Sequence, residues 1–424
     1  MGDLVIRCAQ TDIAVDDGII TAIGPELPAG KREVDARSLE VLPGVIDVHV
    51  HFNEPGRTEW EGAATGSRAF AAAGGTLFFD MPLNSAPCTL DMEAFDQKAA
   101  ALGAVSVADF AIWGGIVPGN RDRMAGLADR GVIGFKSFMS DSGLPEFPRS
   151  DDLTLFEAMR ETARLNLPVA LHAENEEITR GLSQRALTEG RCGVRDYLDS
   201  RPVIAEVEAI ERAALLAREA GAKIHIVHIS SGRGVAAALE ARALGTDITL
   251  ETCPHYLMFT AEDMERIGAA AKCAPPLRSA QEQNKLWDAV LDGRIDIIGS
   301  DHSPAPPDMK ADHNFFKIWG GIAGIAATLP SLLERVPLSR IAELLALHPA
   351  RRFRLPRKGQ IAVGCDADLA LVEMDRPWTM TADTLLQRHP ISPYIGMTFP
   401  GRVVKTLLRG QEEGRGRLVR PEGL

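Results

Sequence analysis

The stretch VLPGVIDVHVHF, residues 41–52, decides the fold. It is a short β-rich apolar run followed by a segment with helical spacing, which reads as a strand feeding a helix. His49 and His51 are two apart in it, and the two-residue period of a strand points both imidazoles to the same side. Working outward, seven more runs of this kind recur: TLFFDMPL from Thr76, VADFAIWGGI from Val107, VIGFKSFM from Val132, LPVALHAE from Leu167, KIHIVHIS from Lys223, DITLETCPHYL from Asp247 and IDIIGSDHSP from Ile295. Amphipathic stretches alternate with them, among them those starting at Glu59, Leu155, Ala205 and Gln281. Eight βα units imply an α/β fold, a closed parallel (β/α)8 barrel with an outer ring of helices and an active site at the C-terminal ends of the strands. An open doubly wound sheet is the alternative, but no glycine-rich dinucleotide fingerprint or phosphate loop follows the early strands.

The chain ends differ from the middle. Residues 1–42 and 357–424 hold short β-type runs between turn signals, including DDG at Asp16, VGCDADLALVE from Val363 and GRVVKTLLRG from Gly401. They are expected to form one small β domain beside a barrel domain of residues 43–356.

Composition narrows the function. The 424 residues are 45% hydrophobic and 25% charged, ordinary for a folded globular chain, and 46 cations against 58 anions give a net charge of -12. A net acidic surface repels phosphate backbones and anionic lipid, which argues against nucleic acid and membrane partners and leaves small neutral molecules. The N-terminus has no cationic segment leading into a long apolar run, and nowhere do 18 apolar residues follow one another, so neither signal peptide nor membrane span is expected. Six scattered cysteines without CxxC pairs fit a reducing cytoplasm.

The chemistry lies where the strands end. His49 and His51 close the first strand, His172 the fifth, His228 the sixth and Asp301 the eighth, while Lys136 sits in an apolar fourth strand where an unpaired ammonium is costly. Neutral imidazoles and a carboxylate are ligands for zinc and similar divalent ions. A lysine that has taken up CO2 becomes a carbamate, whose two oxygens can bridge two metals. Two dications, less the carbamate, Asp301 and a hydroxide, leave one positive charge to stabilise an oxyanion. His225, His255, His302, His313, His348 and His389 stay unassigned, with His255 and His302 near strand ends.

These residues carry a resemblance. PGVIDVHVHFNEPGR from Pro43, GFKSF from Gly134, LHAEN from Leu171, VHISS from Val227, ETCPHYL from Glu251 and GSDHSP from Gly299 resemble, in that order, the cyclic amidohydrolases, the family of dihydroorotases, hydantoinases and allantoinases. The resemblance spans almost the whole chain and implies a TIM-like barrel with a β-sandwich built from both termini. It implies that His49, His51, Lys136 and Asp301 hold one metal and Lys136, His172 and His228 the other. The ions are expected to be zinc, with iron, cobalt or manganese as alternatives, and Lys136 to be carboxylated.

HFNEPGRTEWEG from His51, DMPLNSAPCT from Asp80, KCAPPLRS from Lys272, SDHSPAPPDMK from Ser300 and WGGIAG from Trp319 look most like the allantoinase branch, which implies allantoin degradation in purine catabolism. Dihydroorotases carry an Arg two positions beyond the second His, and an Asn within an NPP motif, where this chain has Asn53 and Ala274. A neutral ring with a ureido arm is therefore the expected substrate rather than one whose carboxylate wants a guanidinium fork. The expected reaction is attack of a metal-bridging hydroxide on the ring amide of allantoin to give allantoate, with Asp301 moving the proton to the leaving nitrogen. Asn53, Ser137, Cys273, Ala274 and Ser303 are the candidate substrate contacts. Hydantoinase or dihydropyrimidinase is the nearer alternative, dihydroorotase the next, and a non-catalytic assembly role the last. The resemblance also implies a homotetramer.

Overall fold

The computed structural model describes residues 2–374 and 376–423. Each of the eight apolar runs contains a strand: β1 (Val45–Val50), β2 (Gly75–Asp80), β3 (Asp109–Ile112), β4 (Phe135–Phe138), β5 (Val169–His172), β6 (Ile224–Ile226), β7 (Ile248–Thr252) and β8 (Ile297–Ile298). All pair in parallel and in chain order, with Gly114–Gly115 carrying the sheet from β3 to β4. A parallel bridge between Val50 and His302, with His51 N–H donating to the His302 carbonyl at 2.9 Å, closes the ring between β1 and β8. Every residue of β1 and β2 is buried, because helices cover the outer face and side chains fill the inner one. That two-sided burial is why the strands read as continuous apolar runs rather than as alternating patterns.

The outer helices follow from their caps and apolar faces. Asp91, Asp151, Ser231 and Ser279 each accept a backbone N–H two to three positions into the helices Met92–Val105, Asp152–Leu165, Gly232–Ala243 and Ala280–Leu291. Val203–Ala220 presents Ala209, Ile210, Ala213, Ala214 and Ala217 to the barrel. Two stretches depart from the sequence pattern. DITLETCPHYL is not one strand: β7 stops at Thr252 and Pro254–Met258 is helical, since proline's fixed φ and missing N–H suit the first helical turn. Among the described residues no long amphipathic helix follows β8; short turns at Ile325–Ala327 and Pro330–Leu332 precede Leu338–Ala342 and His348–Arg352.

Both chain ends build one β unit. Strands Leu4–Cys8, Asp12–Asp16, Ile19–Gly24 and Arg32–Ala36 form a four-stranded sheet, and Glu40–Pro43 joins Leu369–Glu373 and Arg402–Leu407 in a three-stranded one. Their shared core mixes Leu4, Ile6, Ile13, Val15 and Ile20 with Ala367, Leu369, Leu371 and Leu407. The C-terminal part also returns to the barrel: Leu418 bridges Phe110 in β3, and the Arg388 amide donates to Glu61. Among the described residues, no helix is long and apolar enough to cross a membrane.

Candidate metal centre

The C-terminal ends of the strands open on a cavity of about 310 Å³, lined in part by His49, His51, His172, His228 and Asp301. At one side of its floor, Asp301 Oδ1 lies 3.2 Å from His49 Nε2 and 3.4 Å from His51 Nε2. This is a three-ligand cluster able to hold a metal ion. At the other side, His172 Nδ1 and His228 Nε2 face one another at 3.1 Å. The His49 and His228 ring centroids are 5.3 Å apart, so the two groups adjoin. Lys136 is fully buried beside them, and its Nζ has no hydrogen-bond partner. Burial pushes the Lys136 amine down to about 8, with Asp301 and Glu251 opposing.

These side chains reach one mouth because the backbone is strained there. His228 and Asp301 have φ of 42° and 45°, left-handed conformations unusual for such residues, right where β6 and β8 run out into loops. Burial pushes His51, His172 and His228 below the ordinary imidazole value and keeps them neutral, as ligation requires.

Buried carboxylates fix which nitrogen of His49 and of His172 faces inward. His49 Nδ1 is 2.8 Å from Glu251 Oε1, and Glu251 Oε2 is 2.8 Å from His225 Nε2. His172 Nε2 is 2.8 Å from Glu174 Oε2, which also accepts from Arg201. With a proton held on the outward nitrogen by a carboxylate, each ring presents a lone pair to the cavity. Asn84, at a φ of 65°, has its side-chain amide 3.2 Å from His51 Nδ1. The residue pattern gave no reason to single out Glu174, Glu251 or Asn84. The one signal was an acid inside an apolar strand or two residues past a ligand histidine, the kind of signal that marked Lys136.

The residues fit divalent metal ions: four imidazoles, one carboxylate, and a buried amine whose Nζ has no hydrogen-bond partner. The substrate candidates divide. Cys273, Ala274 and Ser303 line the cavity. Ser137 follows Lys136 on β4, so strand alternation turns it to the opposite face, where its hydroxyl donates to Ser150 Oγ at 2.8 Å. Asn53 is buried at a φ of 62° with both amide atoms unpartnered, outside the cavity lining. Arg57 pairs with Glu146 and lies over the Trp60 ring, also outside that lining.

An allantoinase of Solibacter usitatus is 64% identical over 425 residues, covering 97% of this chain and 93% of that protein. An allantoinase of Rubrobacter xylanophilus is 56% identical and covers 99% of this chain and 97% of that protein. The solved structure of L-hydantoinase (dihydropyrimidinase) from Arthrobacter aurescens superposes with a TM-score of 0.96 at 34% identity, over 99% of this chain and 100% of that one. The sequence model of the Amidohydrolase family matches residues 41–412, the barrel with the three-stranded sheet of the β unit, and with relatives this similar over nearly their full length the chain belongs to the amidohydrolase family.

Proposed function

We propose that this chain is an allantoinase, a metal-dependent enzyme that hydrolyses the hydantoin ring amide of allantoin to allantoate. The observation that carries it is the meeting, at one barrel mouth, of four imidazoles, Asp301 and a buried lysine with no partner. Relatives that bear the name allantoinase support the substrate. One ion would be held by His49, His51, Asp301 and carboxylated Lys136, the second by Lys136, His172 and His228. The chemistry such ions supply when bound is Lewis acidity, which polarises an amide carbonyl and makes water a nucleophile near neutral pH.

The protein's own groups do the rest. The neutral Lys136 amine adds to the carbon of CO2 and loses a proton, giving an anion in a place where an ammonium is unpaired. Asp301 is held below the ordinary carboxylate range, against its burial, by neighbouring His49 and His51. It therefore enters the reaction ionised, takes the proton of the attacking water and delivers it to the ring nitrogen as the C–N bond breaks. Cys273, Ala274 and Ser303 offer backbone and hydroxyl groups to the imide and ureido edges. The same proposal places the enzyme in the cytoplasm, where its six free thiols stay reduced, as a homotetramer.

A substrate panel on the zinc-loaded protein tests it. Allantoin is expected to open fastest, dihydropyrimidines and simple hydantoins slower, and dihydroorotate slowest. Arg57 is paired with Glu146 and Arg201 with Glu174, and the Lys272 ammonium donates to backbone carbonyls. Burying an unpaired charge costs several kcal/mol, so discrimination of at least about 10²-fold follows. The likeness to L-hydantoinase makes hydantoin opening the second reading, and faster turnover of 5-substituted hydantoins than of allantoin would establish it.

A further inference from the structure

Among the described residues, Lys272 in the cavity lining and Lys310, which contacts the wall residues Trp319 and Gly321, have no acid to pair with. Lys272, 4% exposed, donates from Nζ to the Phe316 carbonyl at 3.3 Å and to the Ile318 carbonyl, and lies 4.7 Å from the Tyr197 ring centroid. Lys310 Nζ donates to the carbonyls of Ala269 at 3.2 Å, Trp319 at 2.9 Å and Gly321 at 2.7 Å, which uses all three of its protons. Among the described residues both ammoniums are met by carbonyl dipoles, Lys272 also by the Tyr197 and Phe315 rings, and neither by a carboxylate. Burial is the main force pushing both amines down to about 7. A charge placed so dry, without an opposite charge, is unfavourable unless its hydrogen bonds are needed.

What those bonds hold is one wall of the cavity, residues 316–321, which has no regular secondary structure. Gly320 and Gly321 would give that wall wide conformational freedom. The lysines remove it by capturing the carbonyls of Phe316, Ile318, Trp319 and Gly321. The wall is sewn further by the Gly321 N–H donating to the Lys272 carbonyl at 2.9 Å and the Trp319 N–H to the Met309 carbonyl at 2.9 Å. Gly321 also presses on Ser303, where a Cβ would come within 2.3 Å of the carbonyl oxygen, so the wall's position is tied to the loop that carries Asp301. One donor in the wall is unused: Trp319 Nε1 is buried without a partner, its ring packed edge-on against Trp60 at 4.8 Å.

We propose that Lys272 and Lys310 are positioning residues for substrate, fixing the 316–321 wall by its carbonyls so that the Trp319 indole N–H meets a carbonyl oxygen of a cyclic ureide whose ring lies over the metal ligands. The identity of the ureide rests on the proposed function; the clamp itself does not. Neither lysine touches a metal ligand, so the effect appears in substrate binding rather than in metal loading.

The test uses the metal-loaded full-length enzyme and its Lys272→Met, Lys310→Met, Lys310→Arg and Trp319→Phe variants. Steady-state kinetics on allantoin, metal content, and amide hydrogen exchange of the peptide spanning 314–322 are measured together. Both methionine variants are expected to keep full metal content, to raise KM by about tenfold or more with kcat reduced less, and to exchange that peptide faster. Lys310→Arg recovers part of the KM, and Trp319→Phe raises KM without changing exchange. Methionine variants whose KM stays within about twofold of wild type, or whose peptide exchanges unchanged, overturn the clamp. Should the methionine variants fail to fold, Trp319→Phe decides: an unchanged KM overturns the proposal. If the wild-type enzyme opens no cyclic amide, the proposed function fails on its own, and the exchange rates still decide whether the lysines hold the wall.

Discussion

Glu251 is fully buried between two histidines, one oxygen 2.8 Å from His49 Nδ1 and the other 2.8 Å from His225 Nε2. Against its burial, neighbouring His49 and the hydrogen bond from His225 hold it down to about 2, so it is an anion that orients the proposed ligand His49 without being one. Glu251→Gln should therefore weaken metal binding by roughly 10- to 100-fold while the fold persists, read by metal titration against a competing chelator. An unchanged affinity would remove Glu251 from the site. Lys136→Ala should lose the two-ion loading altogether, and acetate, a carboxylate that fits the space left behind, should restore part of it. A variant with two ions and full turnover without additive would sink the carbamate. The six proposed ligand positions come from the sequence because a strand's period and its end are both written in the residue pattern. Glu251 and Glu174 were not, since a carboxylate's role depends on which imidazole lies across the barrel. Ser137 shows the same limit, because adjacency to Lys136 along β4 is what turns its hydroxyl to the other face, toward Ser150.

Elements meet around Glu61, just before the helix Ala63–Ala72, where both carboxylate oxygens lie within hydrogen-bond distance of the Arg388 amide. Burial raises Glu61 to about 7, with the Arg388 hydrogen bonds opposing. The folded value exceeds the unfolded one of about 4.5, so folding takes up a proton there. The resulting stability is fully present below pH 4.5 and is lost as pH rises through about 7. Glu61→Gln removes that dependence. The variant should gain on the order of 3 kcal/mol over wild type at pH 8 and little below pH 4.5, measured by urea denaturation across that range. A difference independent of pH would show that Glu61 is already ionised in its pocket. A second junction, Lys358 among Asp109, Asp366 and Asp368 at 2.7, 2.9 and 2.6 Å, pins the C-terminal segment to β3. Lys358→Met leaves three acids facing one another and should cost about 3–5 kcal/mol, seen as a lowered melting temperature.

Across the whole molecule, the barrel was readable from eight local patterns, each needing only its own residues, whereas the β unit is a contract between positions more than three hundred residues apart. Its alternating runs announced strands but not partners; the partners are set by which apolar faces remain uncovered. In the structure Leu4, Ile6 and Val15 bury against Leu369, Leu371 and Leu407, and the Ala367 N–H donates to the Gly18 carbonyl at 2.8 Å. Each such aliphatic side chain contributes about 1.5–3 kcal/mol when fully buried, and a sheet of some thirty residues has no second face to replace them. Deleting residues 360–424 should therefore leave residues 4–36 without protection: their amides should exchange at unfolded rates and proteases should cut within them. The barrel should suffer as well, because Asp109 in β3 loses the Arg409 guanidinium and the Arg417 amide as hydrogen-bond donors and keeps only Lys358 as a cationic partner. If residues 4–36 stay protected in the truncated protein, the N-terminal sheet holds its own core and the two ends are neighbours rather than one folded unit.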